Sequence, residues 1–485
     1  MERPAAAAGL SIGEVVGMRK LGEQKDIGKR MPRPKEQGRF CSKADGYLGT
    51  WHSQVEKFPH GWKYSGGLGT YCSSHAPFAV YAPEVDRTYF CWGGMDRDKT
   101  KVPRNWDFCT GHQLHMVSYY DHKTGTVPKP TLIFDKYVCD AHDNPVISID
   151  SKGYIWIFSP SHGQWTTPSF IHRSTAPYSI DSFDTIEESL FAYPQPWWTE
   201  RYGFLFFHTR YQDGRMVHLQ RSSDGRRWEK PLPLACIEQG HYYVSNQTGD
   251  TSGLALNYHP AIGGLEARTN LYYMKSTDGG GSWTSADGSP IATPLKEIRN
   301  PALVRDYKAE GLLVYLMDIV HTSQGYPVLL YLTSKSHVTG PDSGPRIWTM
   351  AQWNGSGWEY SVVTGSNSNY DCGAILLGKD GLMSIIGPTE DGPRPWGPGG
   401  EIALWISRDH GRTWAKEREI TKGSPVNHTY VRRVLGGKDD FAVFWADGDT
   451  ELFDDSFLYF AHRDGKKAYR LPPLMTQDSA APEEV

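Results

Sequence analysis

The chain has 485 residues, 13% of them aromatic, with 17 Trp, 27 Tyr, 51 Gly and 32 Pro, and a formal net charge of −4. A balance this close to neutral, with no basic face of domain scale, argues against nucleic acid as a partner, and no apolar run approaches the roughly 18 residues that a helix needs to cross a bilayer, so no membrane span is expected. The aromatic, glycine- and proline-punctuated composition suits many short strands joined by tight turns around a sizeable core.

Residues 1–44 read as a solvated extension, rich in Arg19, Lys20, Lys25, Lys29, Arg30, Arg33, Lys35 and Arg39 and without apolar periodicity. The opening MERPAAAAGLSIGEVVG has no continuous apolar segment of signal-peptide type, which points to the cytoplasm, or to the exterior if a leader has been removed. The cysteines (Cys41, Cys72, Cys91, Cys109, Cys139, Cys236 and Cys372) are odd in number and lack Cys-x-x-Cys spacing, the pattern of reduced thiols and not of a disulfide framework. Cys139 and His142 have a spacing that a zinc ion could use, a weak signal alone.

Strand signals then follow one another: 88–94, 113–121, 203–211, 312–320, 327–335 and 441–448 are β-branched and aromatic runs bounded by turn residues. Two hairpins can be written directly, VISID-SKG-YIWIF near 146–158 and GAILLG-KDG-LMSIIG near 373–387. In the first, antiparallel pairing about Ser151 and Lys152 sets Val146 opposite Phe158 and brings His142, in DAHDNP, to face His162, in SPSH. Two imidazoles at one end of a hairpin suit an acid/base or metal pair, because histidine titrates nearest neutral pH.

Tyr193 follows in FAYPQPWW, and alternation along 203–211 places His208 and Arg210 on one face and Phe207 on the other. Alternation likewise lets only one of Tyr242 and Tyr243 point into a shared space. Asp371 in SNYDCG, and His428, Tyr430 and Arg432 in NHTYVRR, precede or open strands, where loops of a closed ring converge and can line one substrate pocket. Trp197 and Trp396 are candidates for stacking on a sugar, although blade packing explains them equally.

Three turns share one order of residues: Ser222, Asp224, Gly225 and Trp228; Ser276, Asp278, Gly280 and Trp283; Ser407, Asp409, Gly411 and Trp414. The Asp side chain is expected to bond amides of its own turn while Gly takes the strained dihedral and Trp packs beneath, a structural and not a catalytic role. Trp228 and Trp283 lie 55 residues apart, and Trp283 and Trp414 lie 131 apart. That is about the length of a four-stranded blade and of two further blades. The expected fold is therefore all-β, a propeller of four-stranded antiparallel blades, seven by this period, occupying 45–474 as one domain with a loose tail at 475–485. Closure around an axis removes exposed sheet edges.

With these residues placed, the sequence resembles the BNR-repeat (Asp-box) propellers, and more narrowly the BNR-4 group that includes ulvan lyases and rhamnosyl-glucuronate lyases. The likeness runs through DAHDNP, SHG, the YPQP-to-HTRY stretch, the Asp-boxes and NHTYVRR. It implies a lyase acting on a uronic-acid-containing poly- or oligosaccharide, with His142 and His162 as base and acid or orienting partner, Tyr193 as an alternative proton donor and Arg210 as the carboxylate clamp. No cofactor is required for such chemistry; a structural calcium or zinc ion would be compatible with it, through ligands the sequence does not assign. Two other readings stay open: a sialidase-like or rhamnosidase-like glycoside hydrolase, and a non-catalytic glycan-binding propeller. Against a sialidase, no Arg-Ile-Pro segment precedes the first box, and Glu297-Ile-Arg299-Asn-Pro301 is only a faint echo after the second.

Overall fold

A computed structural model describes residues 41–68, 74–95, 112–136, 140–163, 168–212, 214–379 and 381–485; nearly all of the basic extension, with Cys72, Cys109 and Cys139, lies outside them. The β-branched and aromatic runs form strands, among them Arg87–Met95, Gln113–Asp121, Gly203–Tyr211, Leu313–His321, Pro327–Ser334 and Val443–Gly448. Helical structure among the described residues is confined to short 3-10 turns, at Ala141–Asp143, Gly264–Ala267 and Pro341–Ser343. Both hairpins have the expected register: Val146 pairs with Phe158 and Ser148 with Trp156, and Ala374 pairs with Ile386.

The strands are ordered as antiparallel meanders, the arrangement of a propeller. Four sheets have four strands each, running from Val146–Ile149 to Phe183–Ser189, from Ala192–Thr199 to Leu232–Ala235, from Leu313–His321 to Trp358–Ser366 and from Ala374–Leu377 to Ala415–Glu419. A six-stranded sheet begins at Tyr243–Thr248 and a five-stranded one at Asn427–Arg433. These discrete blades number six, one fewer than the sequence period suggests. The strands Ala79–Ala82, Arg87–Met95, Gln113–Asp121 and Thr131–Asp135 do not stand alone, because Gly49–Phe58 bridges them to the hairpin strand Gly61–Gly66 and to Asp454–Ser456 in one eight-stranded sheet.

First and last segments close the ring directly: the amide of Tyr81 donates to the Leu435 carbonyl and the amide of Leu435 to that of Ala79, each at 2.9 Å. Successive first strands face a common axis, where Phe78, Trp197, Val244, Met317, Ala374 and Val431 line a cavity. The C-terminal residues are not loose as expected. Ser479–Ala480 pairs with Val127–Pro128 and Glu483–Glu484 with Ala468–Arg470, while Met475 is buried in the core. Free strand edges offer the tail backbone partners that composition alone does not reveal.

Each Asp-box joins the third and fourth strands of a sheet, as at Thr269–Ser276 and Trp283–Thr284. Asp278 accepts from the Ser282 amide at 2.9 Å and from the hydroxyls of Ser282 and Ser276 at 2.6 and 2.8 Å. Asp224 accepts from the amides of Arg226 and Arg227, and Asp409 from those of Arg412 and Thr413. Trp283 is buried, and the indoles of Trp228 and Trp414 donate to the carbonyls of Gly225 and Gly411. Partial burial would raise the Asp278 carboxyl, but the bonds from Ser282 and Ser276 prevail and hold it at about 2. Its bonds therefore contribute stability that is complete above the ordinary carboxyl range and is lost as pH falls through about 2. Asp278→Ala is expected to cost about 1 kcal/mol at neutral pH, the scale of solvent-screened hydrogen bonds to a charged group; in urea titrations the deficit relative to the parent should shrink between pH 4 and pH 2, and a deficit independent of pH would contradict this account.

Candidate active site

The DAHD turn builds the centre of the site. Asp140 caps the short 3-10 turn, its Oδ1 accepting the His142 amide at 2.9 Å and the His142 Nδ1–H at 2.6 Å. Its Oδ2 takes the Nδ1–H of His162 at 2.7 Å, so the two imidazoles stack with centroids 3.6 Å apart and planes inclined by 10°. The expected facing of His142 and His162 is thus present, and the carboxylate that orients both is a residue the sequence reading passed over. Its signal was the Asp-x-His spacing within DAHD.

Burial alone would raise the Asp140 carboxyl, but the two imidazoles outweigh it and hold the group well below the ordinary range. His142 is pushed down to about 4, first by burial and then by His162, with Asp140 opposing. It is therefore neutral near pH 7. With Nδ1–H given to Asp140, the His142 Nε2 carries a lone pair, and the Tyr193 hydroxyl donates to it at 2.9 Å.

Tyr193 reaches this position through its backbone. It has φ of 52°, and the pairing of Ala192–Thr199 with Gly203–Tyr211 slips between Ala192 and Gln195, the re-aiming that a bulge produces next to functional sites. The Tyr243 hydroxyl donates to the Tyr193 carbonyl and holds the bulge in place. Around the phenol, Tyr211 donates to the Tyr193 hydroxyl at 3.4 Å and the Tyr242 ring stands edge-on at 5.4 Å. Burial, then Tyr211 and Tyr242, raise the Tyr193 hydroxyl well above its ordinary value, while Arg215 pulls it down.

Arg215 lies 5.4 Å from the Tyr211 ring centre and 5.8 Å from that of Tyr242, and it is close enough to lower the pKa of His142. It pairs with Tyr211 across the hairpin that follows Gly203–Tyr211. That register, extended by one turn, would have found it. Arg268 adds a second, fully buried cation over the rings of Tyr315 and Tyr242, at 4.7 and 4.9 Å. His162, Tyr211 and Arg215 are the partly exposed members of the cluster.

Of the other expected residues, Tyr242 alone joins this cluster. Alternation that sends Tyr211 to the site sends Arg210 and His208 to the opposite face, where His208 packs against Phe206, Phe191 and His218, so Arg210 lies apart from this cluster. Asp371 accepts the amides of Gly399 and Ser368 at 2.7 and 2.9 Å, and burial raises it to about 7 against those bonds. His428 accepts from the Trp445 indole at 3.0 Å and lies 2.9 Å from the Ser424 hydroxyl, a buried structural bridge and not a pocket contact. Tyr430 packs on Tyr64 and covers Gly66, where a Cβ would lie 2.2 Å from its ring. Arg432 lines the axial cavity.

Ligand atoms of Asp140, His142 and His162 lie within 4.8 Å of one another, close enough to hold a metal ion. As arranged, each carboxylate oxygen already accepts an Nδ1–H, so the three form a hydrogen-bonded unit.

The family model described as BNR repeat-containing family member matches residues 88–365, more than half of the chain and every member of this cluster. The chain belongs to this family. Among BNR-repeat relatives, an ulvan lyase of Nonlabens ulvanivorans is 23% identical over 323 residues, covering 58% of this chain and 65% of that protein. The match spans less than two thirds of the relative's own length. Among solved structures, a polysaccharide lyase described as a PL25 ulvan lyase superposes with a TM-score of 0.65 at 15% identity, over 82% of this chain and 94% of that one. The same enzyme bound to -[GlcA(1-4)Rha3S]- gives 0.64 at 15% identity over the same shares. The polysaccharide lyase Uly1 gives 0.57 at 11%, over 85% and 94%. At such identities these likenesses establish a shared fold.

Proposed function

We propose that this BNR-repeat propeller is a lyase that cleaves a uronic-acid-containing poly- or oligosaccharide by β-elimination. The observation that carries the reading is the buried chain Asp140–His142–Tyr193, with a neutral base hydrogen-bonded to a phenolic acid beside the Arg215 cation. The naming of the relatives above as ulvan and polysaccharide lyases supports it.

The chemistry follows from what each group can hold. A proton α to a carboxylate is very weakly acidic until the carboxylate charge is cancelled, and Arg215 is the cation placed to cancel it. The His142 Nε2 lone pair then takes the C5 proton, the C–H pair becomes the C4=C5 bond, the C4–O bond breaks and the leaving oxygen takes the Tyr193 proton. Afterwards the proton on His142 returns to the Tyr193 oxygen along their 2.9 Å contact, restoring both groups. Asp140 keeps His142 in the productive tautomer and His162 stacked against it. The cycle consumes neither water nor a redox cofactor, and the ring that supports it counts as seven blades when the four strands 79–135 of the eight-stranded sheet are taken as one.

Incubation with a rhamnose–glucuronate glycan tests the reading. One ultraviolet-absorbing 4,5-unsaturated uronide is expected for each new reducing end. Reducing ends without unsaturation would establish hydrolysis instead, and binding without either product would establish a glycan-binding propeller.

A further inference from the structure

The axial cavity presents a charge with no hydrogen-bonded counter-charge among the described residues. Its volume is about 40 Å³, room for a few water-sized groups since one needs roughly 10–15 Å³ on this measure. Two arginines line it. Arg433 is compensated, with Nε 3.2 Å and Nη2 3.4 Å from the two Asp318 oxygens and Nη2 3.3 Å from Asn246. Arg432 is not: its side chain sits in a residue only 7% exposed, and its Nε and Nη2 are buried without a hydrogen-bond partner among the described residues.

The other polar groups of the wall are occupied. Gln195 donates to the carbonyls of Ser74 and Tyr243 and accepts from the Ser245 amide and hydroxyl, and the Trp197 indole donates to Ser245. The rings of Tyr430 and Phe78, 5.3 and 5.6 Å from the Arg432 guanidinium, supply only quadrupole attraction. Arg432 is nonetheless directed here by a built feature: Tyr430 has φ of 57° and the pairing of Asn427–Arg433 with Val443–Gly448 slips between Thr429 and Arg432. A guanidinium with two buried, unbonded nitrogens and no counter-charge bonded to it among the described residues is unfavourable, and the cavity is large enough for a small compensating ion.

We infer that the axial cavity is a binding site for one small monovalent anion, a halide or a formate-sized carboxylate, held by Arg432. The site is separate from the catalytic cluster: His75 stands between them, its ring 5.7 Å from that of Tyr193 and its charge state sensitive to both Arg432 and His142.

Crystals of the full chain soaked in bromide, and separately in formate, should show anomalous or difference density against Arg432, distinguishing the two anions. In solution, the Tm should rise by a few degrees in sodium chloride over sodium gluconate at equal ionic strength, saturably, gluconate being too large for the cavity. Arg432→Met should lose that rise while remaining folded, because an apolar group replaces an uncompensated charge. No bromide or formate at Arg432, a halide response unchanged in Arg432→Met, or glucuronate in place of the small anions would overturn the assignment. None of these results depends on lyase activity.

Discussion

His142→Ala is expected to lower formation of unsaturated uronide by about 100- to 10,000-fold, the range for removal of a positioned general base, with kcat falling more than KM rises. The loss follows from position: His142 is the imidazole whose Nδ1 is committed to Asp140 and whose Nε2 meets the Tyr193 hydroxyl. A second, more specific signature is expected of the parent protein. Burial and His162 hold His142 at about 4, so the base is unprotonated throughout the neutral range and kcat/KM should fall only as pH drops through about 4, not near the ordinary histidine value. An acid limb near 6.5, or an Ala variant with parental turnover, would remove His142 from the role of base.

Arg215→Met is expected to reduce kcat/KM by about 100- to 1,000-fold, the effect of deleting one preorganised charge at a developing oxyanion. Two consequences of the same cation are measurable. Uronate methyl esters, which have no carboxylate charge to cancel, should lose far less than the free acids. The Tyr193 hydroxyl, which Arg215 pulls down against Tyr211 and Tyr242, should become still less acidic, so activity of the variant should not be restored at alkaline pH. Arg210→Met separates this assignment from its neighbour: its side chain lies on the far face of Gly203–Tyr211 with His208 and His218, and near-parental turnover is expected. Equal losses at both positions would point to a stability effect of the hairpin.

How far the site was legible depends on whether its geometry is local. The meeting of His142 with His162 could be read because one hairpin with a three-residue turn dictates it, and period-two pairing propagates the register outward. Tyr193 and Tyr242 could be named as candidates, but the bond that ties Tyr193 to His142 rests on a positive φ and a register slip within its strand, which no periodicity encodes. Arg210 stands out in the sequence because strand alternation puts it on one face with His208, which does not say whether that face looks toward the cluster. Asp371 and His428 are expected in the pocket because loops that precede strands converge in a closed ring, but both are consumed in tying backbone and indole groups within their own sheets.

The sequence by itself determined the fold class, the box turns and the hairpin that presents two histidines, since turn chemistry, strand alternation and blade period are all properties of neighbouring residues. Tertiary structure decided that Asp140 orients both rings, that Arg215 is the cation at the site, that the eight-stranded sheet leaves six discrete blades, and that Arg432 is buried at the axis with no hydrogen-bonded counter-charge among the described residues. Arg215 meets Tyr242 and Arg432 meets Phe78 across neighbouring blades, a geometry set by ring closure, while Asp140 reaches His142 and His162 at the end of one hairpin through side-chain directions that strand pairing alone does not specify.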